Sequence, residues 1–314
     1  MQAFNYFFYK NIKHHLKYQV KNHIKTKRAM HLLGIFACTM MLGACAGTVA
    51  HDGNEKLAAV VLDRDAEKRA RDVHRRPVQT LSFFQVEPDM KVAEALPGGG
   101  WYSEILANYL GSNGALHGIN YNVTMWPMFG FFSPERIESM SARTAAFPGL
   151  VAELSDNGVE ASGFTFASAP SELVGTLDRV LFVRALHNLA RFEDNAGTLT
   201  EALELSFALL KDDGMVGVVQ HRAPENADDD WANGASGYLK QSMVIQAFTN
   251  AGFELVSSSE INSNEKDKPV KGDIVWRLPP SLNGSADDPE KRAAMQAIGE
   301  SDRMTLLFKK SKKS

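Results

Sequence analysis

Three short stretches of this chain bring together residue types able to do chemistry. The first is Val92-Ala93-Glu94-Ala95-Leu96-Pro97-Gly98-Gly99-Gly100-Trp101, an apolar run with one acid, three glycines, and the start of a helical pattern. In a doubly wound sheet such a turn lies at the carboxyl end of a central strand, where ligands bind. Glycine suits it because a Cβ would hold a ligand away from the backbone. The bare amides opening the next helix favour an anionic group such as a carboxylate. The second stretch, DRVLFVRALHN (residues 178–188), ends in Arg184, His187 and Asn188. An imidazole titrates near neutral pH, and a positioned base adds about 100- to 10,000-fold to a rate. His187 is read either as such a base or as a cap on the following helix. The third is His221-Arg222, after the apolar run Met215–Gln220. His221 joins Arg184 and His187 as a candidate catalytic residue, while Arg222 either holds an anionic acceptor or pairs with the acids Asp228–Asp230.

Other features have two readings each. Trp101-Tyr102 either walls a pocket or packs in the core, and the apolar stretch Met125–Phe132 (MWPMFGFF) is either a lid or core. His117, on a strand pattern, reads as buried structure. The histidines lack metal-ligand spacing. There is no Gly-x-Ser-x-Gly elbow and no phosphate loop. A nicotinamide-binding loop would need a third spaced glycine, where Trp101, Tyr102 and Ser103 stand instead.

The elements that must position these residues alternate from Lys91 onward. Strand patterns cover Lys91–Leu96, Ala115–Asn120, Phe164–Ala167, Asp178–Arg184, Met215–Gln220 (entered through an Asp213-Gly214 turn), Phe253–Ser258 and Met304–Phe308. Helical patterns cover Trp101–Leu110, Pro134–Ala145, Thr198–Leu210 and Ser242–Ala251. A charged helix, Glu55–Asp72, precedes them. The alternation predicts an α/β fold, a doubly wound mainly parallel sheet with an antiparallel pair at one edge. The polar stretch Asn262–Gly299, with four prolines, is too long for a hairpin loop and reads as a surface insertion, either covering part of the site or inconsequential.

The 314 residues, 44% of them hydrophobic, suffice for one sizeable domain. Residues 1–44 hold seven Lys or Arg and no acid, so the chain from Cys45 onward carries about −10. That acidity excludes nucleic acid as the main partner. The basic start and the short apolar run Leu32–Leu42 fit a signal sequence, the run being roughly half the ~20 residues a spanning helix needs. The residues Leu42-Gly43-Ala44-Cys45 resemble a bacterial lipobox. This implies lipidation of Cys45, with Ala46 after it favouring the periplasmic face of the outer membrane; an uncleaved N-terminal anchor is the other reading. The expected division is a signal peptide at 1–45, a tether at 46–54 and one domain at 55–314. With Cys38 and Cys45 the only cysteines, the domain has neither disulfide nor thiolate chemistry.

The strand with Glu94 and the turn Gly98–Gly100 resemble the first motif of class I S-adenosylmethionine-dependent methyltransferases. More narrowly, PGGGWYSEIL, DRVLFVRALHN and SDRMTLLF resemble a group of exported bacterial methyltransferases, over about residues 71–309. The resemblance implies a Rossmann-like methyltransferase fold with an antiparallel edge strand, S-adenosylmethionine as cofactor and a small or lipid-like acceptor. It implies cofactor binding by Glu94, Pro97, Gly98, Gly99, Gly100 and Asn120, Glu94 balancing the positive methionine end. Two departures stand out. Leu96 replaces the motif's first glycine, and Asn120 replaces the acid that holds the ribose, a loss of about 1–2 kcal/mol. The alternative reading is a non-catalytic envelope protein that kept the fold.

Overall fold

A computed structural model describes residues 48–311. Five strands, β1 (Lys91–Ala95), β2 (Ala115–Asn120), β3 (Glu160–Thr165), β4 (Leu177–Val183) and β5 (Leu210–Ala223), run parallel. Two more, β6 (Phe253–Ser259) and β7 (Arg303–Lys310), complete the main path, and an unlabelled two-residue strand, Leu239–Lys240, pairs with the end of β5. The order across the sheet is β3-β2-β1-β4-β5-β7-β6. The antiparallel pair expected at one edge is β6 with β7, and β7, last in sequence, inserts between β5 and β6. This is the α/β, doubly wound, mainly parallel sheet with an antiparallel edge pair anticipated from the sequence.

The helices are α1 (Thr48–Asp63), α2 (Pro77–Phe83), α3 (Trp101–Leu110), α4 (Pro134–Leu154), α5 (Leu186–Arg191), α6 (Thr198–Leu209), α7 (Gln241–Asn250) and α8 (Pro289–Ile298), with short helical turns at Ala66–Arg69, Asp72–Arg75 and Glu193–Ala196. The central strands are apolar along their length because helices cover both faces. One core, including Ala93, Ala95, Ile119, Phe182 and Phe248, lies on one face; the other, including Leu57, Val92, Ile105, Leu106 and Phe147, lies under α1, α3 and α4. The two-residue alternation of β1 therefore sends Val92 and Glu94 toward α3 and Ala93 and Ala95 away from it.

Several boundaries differ from the sequence reading. Helix α1 starts at Thr48, inside the stretch expected to be a tether, while the signal segment 1–45 lies outside the described residues. The helix expected to end at Ala145 continues through Pro148 to Leu154, because Phe147 and Val151 bury their side chains in the core under it. The Asp213-Gly214 turn is an irregularity within a longer β5, where the register with β4 shifts between Leu177 and Arg179. Met125–Phe132 forms largely a 3₁₀ segment, Val123–Phe129. No helix among the described residues is long and apolar enough to cross a membrane.

Candidate active site

The turn after β1 keeps the backbone of a glycine loop even where the sequence lacks glycine. Leu96 sits at φ +55°, followed by Gly98 at +60° and Gly100 at +80°. A left-handed conformation costs a residue with a Cβ roughly 1–2 kcal/mol, so the surrounding structure holds Leu96 there: its amide donates to Ile119 O at 2.7 Å. A Cβ on Gly98 would meet only Leu96 O, at 3.8 Å, and one on Gly99 would meet nothing within 4 Å. Gly100 serves packing instead, since a Cβ there would come within 2.7 Å of Leu154. Beneath the turn, Glu94 is 4% exposed and accepts a 2.6 Å hydrogen bond from the Ser103 hydroxyl, one turn into α3. Burial pushes its carboxyl up to about 7, against the opposing pull of Ser103, Arg184 and Arg75.

Beside this turn, at the carboxyl ends of β1, β2, β4 and β5, lies a cavity of about 370 Å³. It occupies the crevice where the strand order reverses between β1 and β4, the usual ligand position in such sheets. Leu96, Tyr121 and Trp126 line it, together with Val183, Arg184, His187, Asn188 and His221, and with Val275, Trp276, residues 278–281, Glu300 and Ser301. Arg184, directly after β4, is the second residue of the cavity wall held at positive φ (+61°) without being glycine, its amide bonded to Val219 O. Backbone strain of this kind collects at functional sites.

Two imidazoles face the cavity, His187 buried and His221 half-buried, their rings 5.5 Å apart. The Gln220 amide donates to Gly237 O at 2.9 Å and to His221 O at 3.3 Å. Its oxygen therefore meets His187 Nδ1, at 3.4 Å, as an acceptor. Nδ1 then carries the proton and Nε2 keeps its lone pair, an orientation set by the neighbouring amide. Burial drives His187 down to about 4, with Arg184 adding to the effect and Gln220 opposing it. His221, whose Nδ1 lies 2.6 Å from Ser301 Oγ, is held well below its usual range by burial, by His187 and by nearby arginines. Both shifts favour the neutral ring.

Behind the cavity, Glu300 draws in several arginines. Its Oε1 accepts from Arg71 Nη2 at 2.6 Å and its Oε2 from Arg303 Nη1 at 3.0 Å; Arg75 Nε lies 3.5 Å away. Arg64 and Arg75 sandwich the Trp101 ring at 4.6 and 4.4 Å, and the indole donates to Lys68 O. Trp101 and Tyr102 thus tie α3 to the N-terminal helices and do not wall the cavity.

The structure brings Arg184, His187 and His221 to one cavity. Glu94, Pro97, Gly98, Gly99, Gly100 and Asn120 are absent from its lining; they form the adjoining turn and the end of β2. Arg222 does not pair with Asp228–Asp230. It forms ion pairs with Asp302 at 2.8 Å and Glu260 at 2.6 Å, because its strand end faces the start of β7, while Lys271 and Lys240 take Asp228 and Asp229. His117 is buried, with Nδ1 2.8 Å from Ser162 Oγ. The aromatic stretch divides: Met125 and Phe129 are core, Trp126 lines the cavity and Phe131 is 69% exposed. Sequence reasoning missed Tyr121, Gln220, Glu300, Ser301 and the arginines around Glu300. One signal was available, the four-residue spacing of Arg71 and Arg75, which puts both on one helical face. The insertion does cover the site, with Trp276 5.8 Å from His187, and it is anchored by Arg277 to Asp267 and Asp273. Among the described residues no group of three or more His, Cys, Asp or Glu could hold a metal ion.

For the cofactor the resemblance implies, the residues present fit. The space above Gly98 and Gly99 is open, Trp101 points elsewhere, and the nearest atom to Gly98 belongs to the Leu96 backbone, not its side chain. An acid lies beneath, where a cationic methionine end would need one.

Comparison with known proteins gives no matching family model and no matching curated relative. Among solved structures the chain is similar to the (4+2)-cyclase SpnF (14% identity, TM-score 0.48, 84% of this chain and 96% of that one). It is also similar to a SAM-dependent methyltransferase from Aquifex aeolicus (15%, 0.41, 66% and 93%). A third is Burkholderia thailandensis 1,6-didemethyltoxoflavin-N1-methyltransferase, crystallised with 1,6-didemethyltoxoflavin and S-adenosylhomocysteine (11%, 0.41, 88% and 94%). At these identities a shared fold leaves activity open, because one fold hosts many functions.

Proposed function

We propose that this protein is an S-adenosylmethionine-dependent methyltransferase for a small or lipid-like acceptor. The observation that carries the reading is the turn at Leu96–Gly100, kept in glycine-loop geometry at a cost by a leucine, over a buried acid and beside a cavity with an oriented neutral imidazole. Gly98 and Gly99 would admit the nucleoside and its amino-acid tail, Glu94 would face the positive end, and Asn120 would bond the ribose. When bound, the cofactor supplies an electrophilic methyl group, and the protein's task is then alignment and proton removal.

Arg184, His187 and His221 hold the acceptor side. His187, neutral with Nε2 unprotonated, takes the proton that an acceptor hydroxyl releases as its oxygen is methylated. Its low basicity is sufficient because an oxygen carrying both the new methyl bond and its proton is strongly acidic. The segment Val275–Ser281 excludes water. A lipid anchor at Cys45, placing the domain at the periplasmic face of the outer membrane, belongs to the same proposal; Cys45→Ser should move the protein from the membrane fraction to the soluble one.

Calorimetry of the full-length protein with S-adenosylhomocysteine tests the central reading. Saturable binding is expected, and no heat at millimolar ligand would remove the enzyme assignment. One observation favours the second reading, a non-catalytic envelope protein: Leu96 forms part of the cavity wall where the motif has glycine. That reading predicts binding of another ligand and no methyl release from labelled cofactor.

A further inference from the structure

The charges around the cavity do not balance. Four guanidiniums, of Arg71, Arg75, Arg184 and Arg303, surround two carboxylates, Glu300 and Glu94. Arg71 and Arg303 use both oxygens of Glu300, and Ser103 donates to Glu94. Among the described residues no carboxylate comes within ion-pair distance of Arg184, and its Nε is buried without a hydrogen-bond partner. Arg75 Nε and Nη1 also lack hydrogen bonds, though Arg75 Nε has Glu300 Oε1 at 3.5 Å. Arg184 is the one of the four that lines the cavity. The residue is only half-buried because it opens onto that space. Burial and the neighbouring arginines push it down to about 10, so it remains a cation at neutral pH. A cation left without a partner in such surroundings is costly.

Of the remaining lining, Tyr121, Trp126, Val275, Trp276, Leu278 and Pro279 are aromatic or apolar, while Asn188, Ser281, Ser301 and Glu300 are polar, the Glu300 oxygens being already bonded to Arg71 and Arg303. The imidazoles add no charge. We infer that the acceptor is an amphiphilic acid, an aromatic or apolar body seated against Trp126 and Trp276 with a carboxylate-type anion taken by Arg184. This rests on the methyltransferase reading only in calling the ligand an acceptor. The same anion chemistry could come from the cofactor's own carboxylate, and the test separates the two sources.

The probes are benzoate, its neutral counterpart benzamide, and S-adenosylhomocysteine, each titrated into the full-length protein, wild type and the variants Arg184→Gln and Arg184→Lys. Arg184 makes no hydrogen bond that a glutamine would break, so both variants should fold, and thermal melts report whether they do. Benzoate should bind about tenfold or more tighter than benzamide, the value of one charge-assisted contact. Arg184→Gln should erase that preference and Arg184→Lys retain part of it, while S-adenosylhomocysteine affinity stays within about twofold and both ligands bind together. Equal binding of benzoate and benzamide, or a preference surviving in Arg184→Gln, overturns the inference. Displacement of benzoate by S-adenosylhomocysteine, with joint loss in Arg184→Gln, assigns the cation to the cofactor and also overturns it. If S-adenosylhomocysteine does not bind but the benzoate preference follows Arg184, the methyltransferase reading fails and the anion site stands.

Discussion

Replacing Glu94 by glutamine tests whether the acid beneath the glycine turn is buried for binding and not for stability. Burial raises its carboxyl from 4.5 to about 7. Because the folded state binds the proton more tightly than the unfolded chain, Glu94's favourable contribution is complete below about pH 4.5 and is lost as pH rises to about 7. A shift of that size corresponds to about 3 kcal/mol. Glutamine stays neutral throughout, and its oxygen can still accept from Ser103. Glu94→Gln should therefore be near wild type at about pH 5 and more stable by about 2–3 kcal/mol at about pH 8, several degrees in Tm for a domain of this size. Urea unfolding at a series of pH values measures this as a change in midpoint at constant slope. The same variant should weaken S-adenosylhomocysteine binding, because the counter-charge for the ligand's ammonium is gone. A stability difference that does not vary with pH, or a variant less stable than wild type at about pH 8, would refute the reasoning.

Further outcomes follow from the same geometry. Gly98→Val places a branched side chain at φ +60° in the open space over the turn. It should cost about 1–2 kcal/mol of stability and abolish S-adenosylhomocysteine binding with circular dichroism unchanged. His187→Asn should lower any methyl transfer by about 100-fold or more and flatten the acid limb of stability. With His187 lowered to about 4, its contribution is present above about pH 6.5 and is lost as pH falls toward 4, about 3 kcal/mol in all. Denaturation at a series of pH values checks it. Arg222→Ala removes ion pairs to Asp302 and Glu260 outside the cavity lining. It should cost about 1 kcal/mol and leave ligand affinity unchanged by calorimetry.

The chain order of strand, glycine turn and helix was readable because its causes are local. Apolar strand runs, glycines at a reversal and the 3.6-residue pattern of α3 each act over a few neighbouring residues. The same is true of the ends of β4 and β5, so Arg184, His187 and His221 could be picked out before any coordinates. The mainly parallel sheet follows from the alternation of strands and helices, since parallel neighbours need a crossover between them.

Other properties were decided only when distant segments met. Arg71 and Glu300 are 229 residues apart, yet their contact organises the charge behind the cavity. No local pattern announces such a pair. The partner of Arg222 depended on β7 returning between β5 and β6, a choice among sheet orders that the sequence leaves open. Leu96 reads in sequence as the loss of a motif glycine, and only its φ of +55° reveals that the loop was kept. His187 does not differ in sequence from a solvent-exposed histidine; enclosure beside Trp276 and the Gln220 contact favour its neutral form and set its tautomer. Local sequence thus set which atoms could act, and long-range packing set their protonation and partners, because desolvation and Coulomb interactions depend on everything within reach in space rather than along the chain.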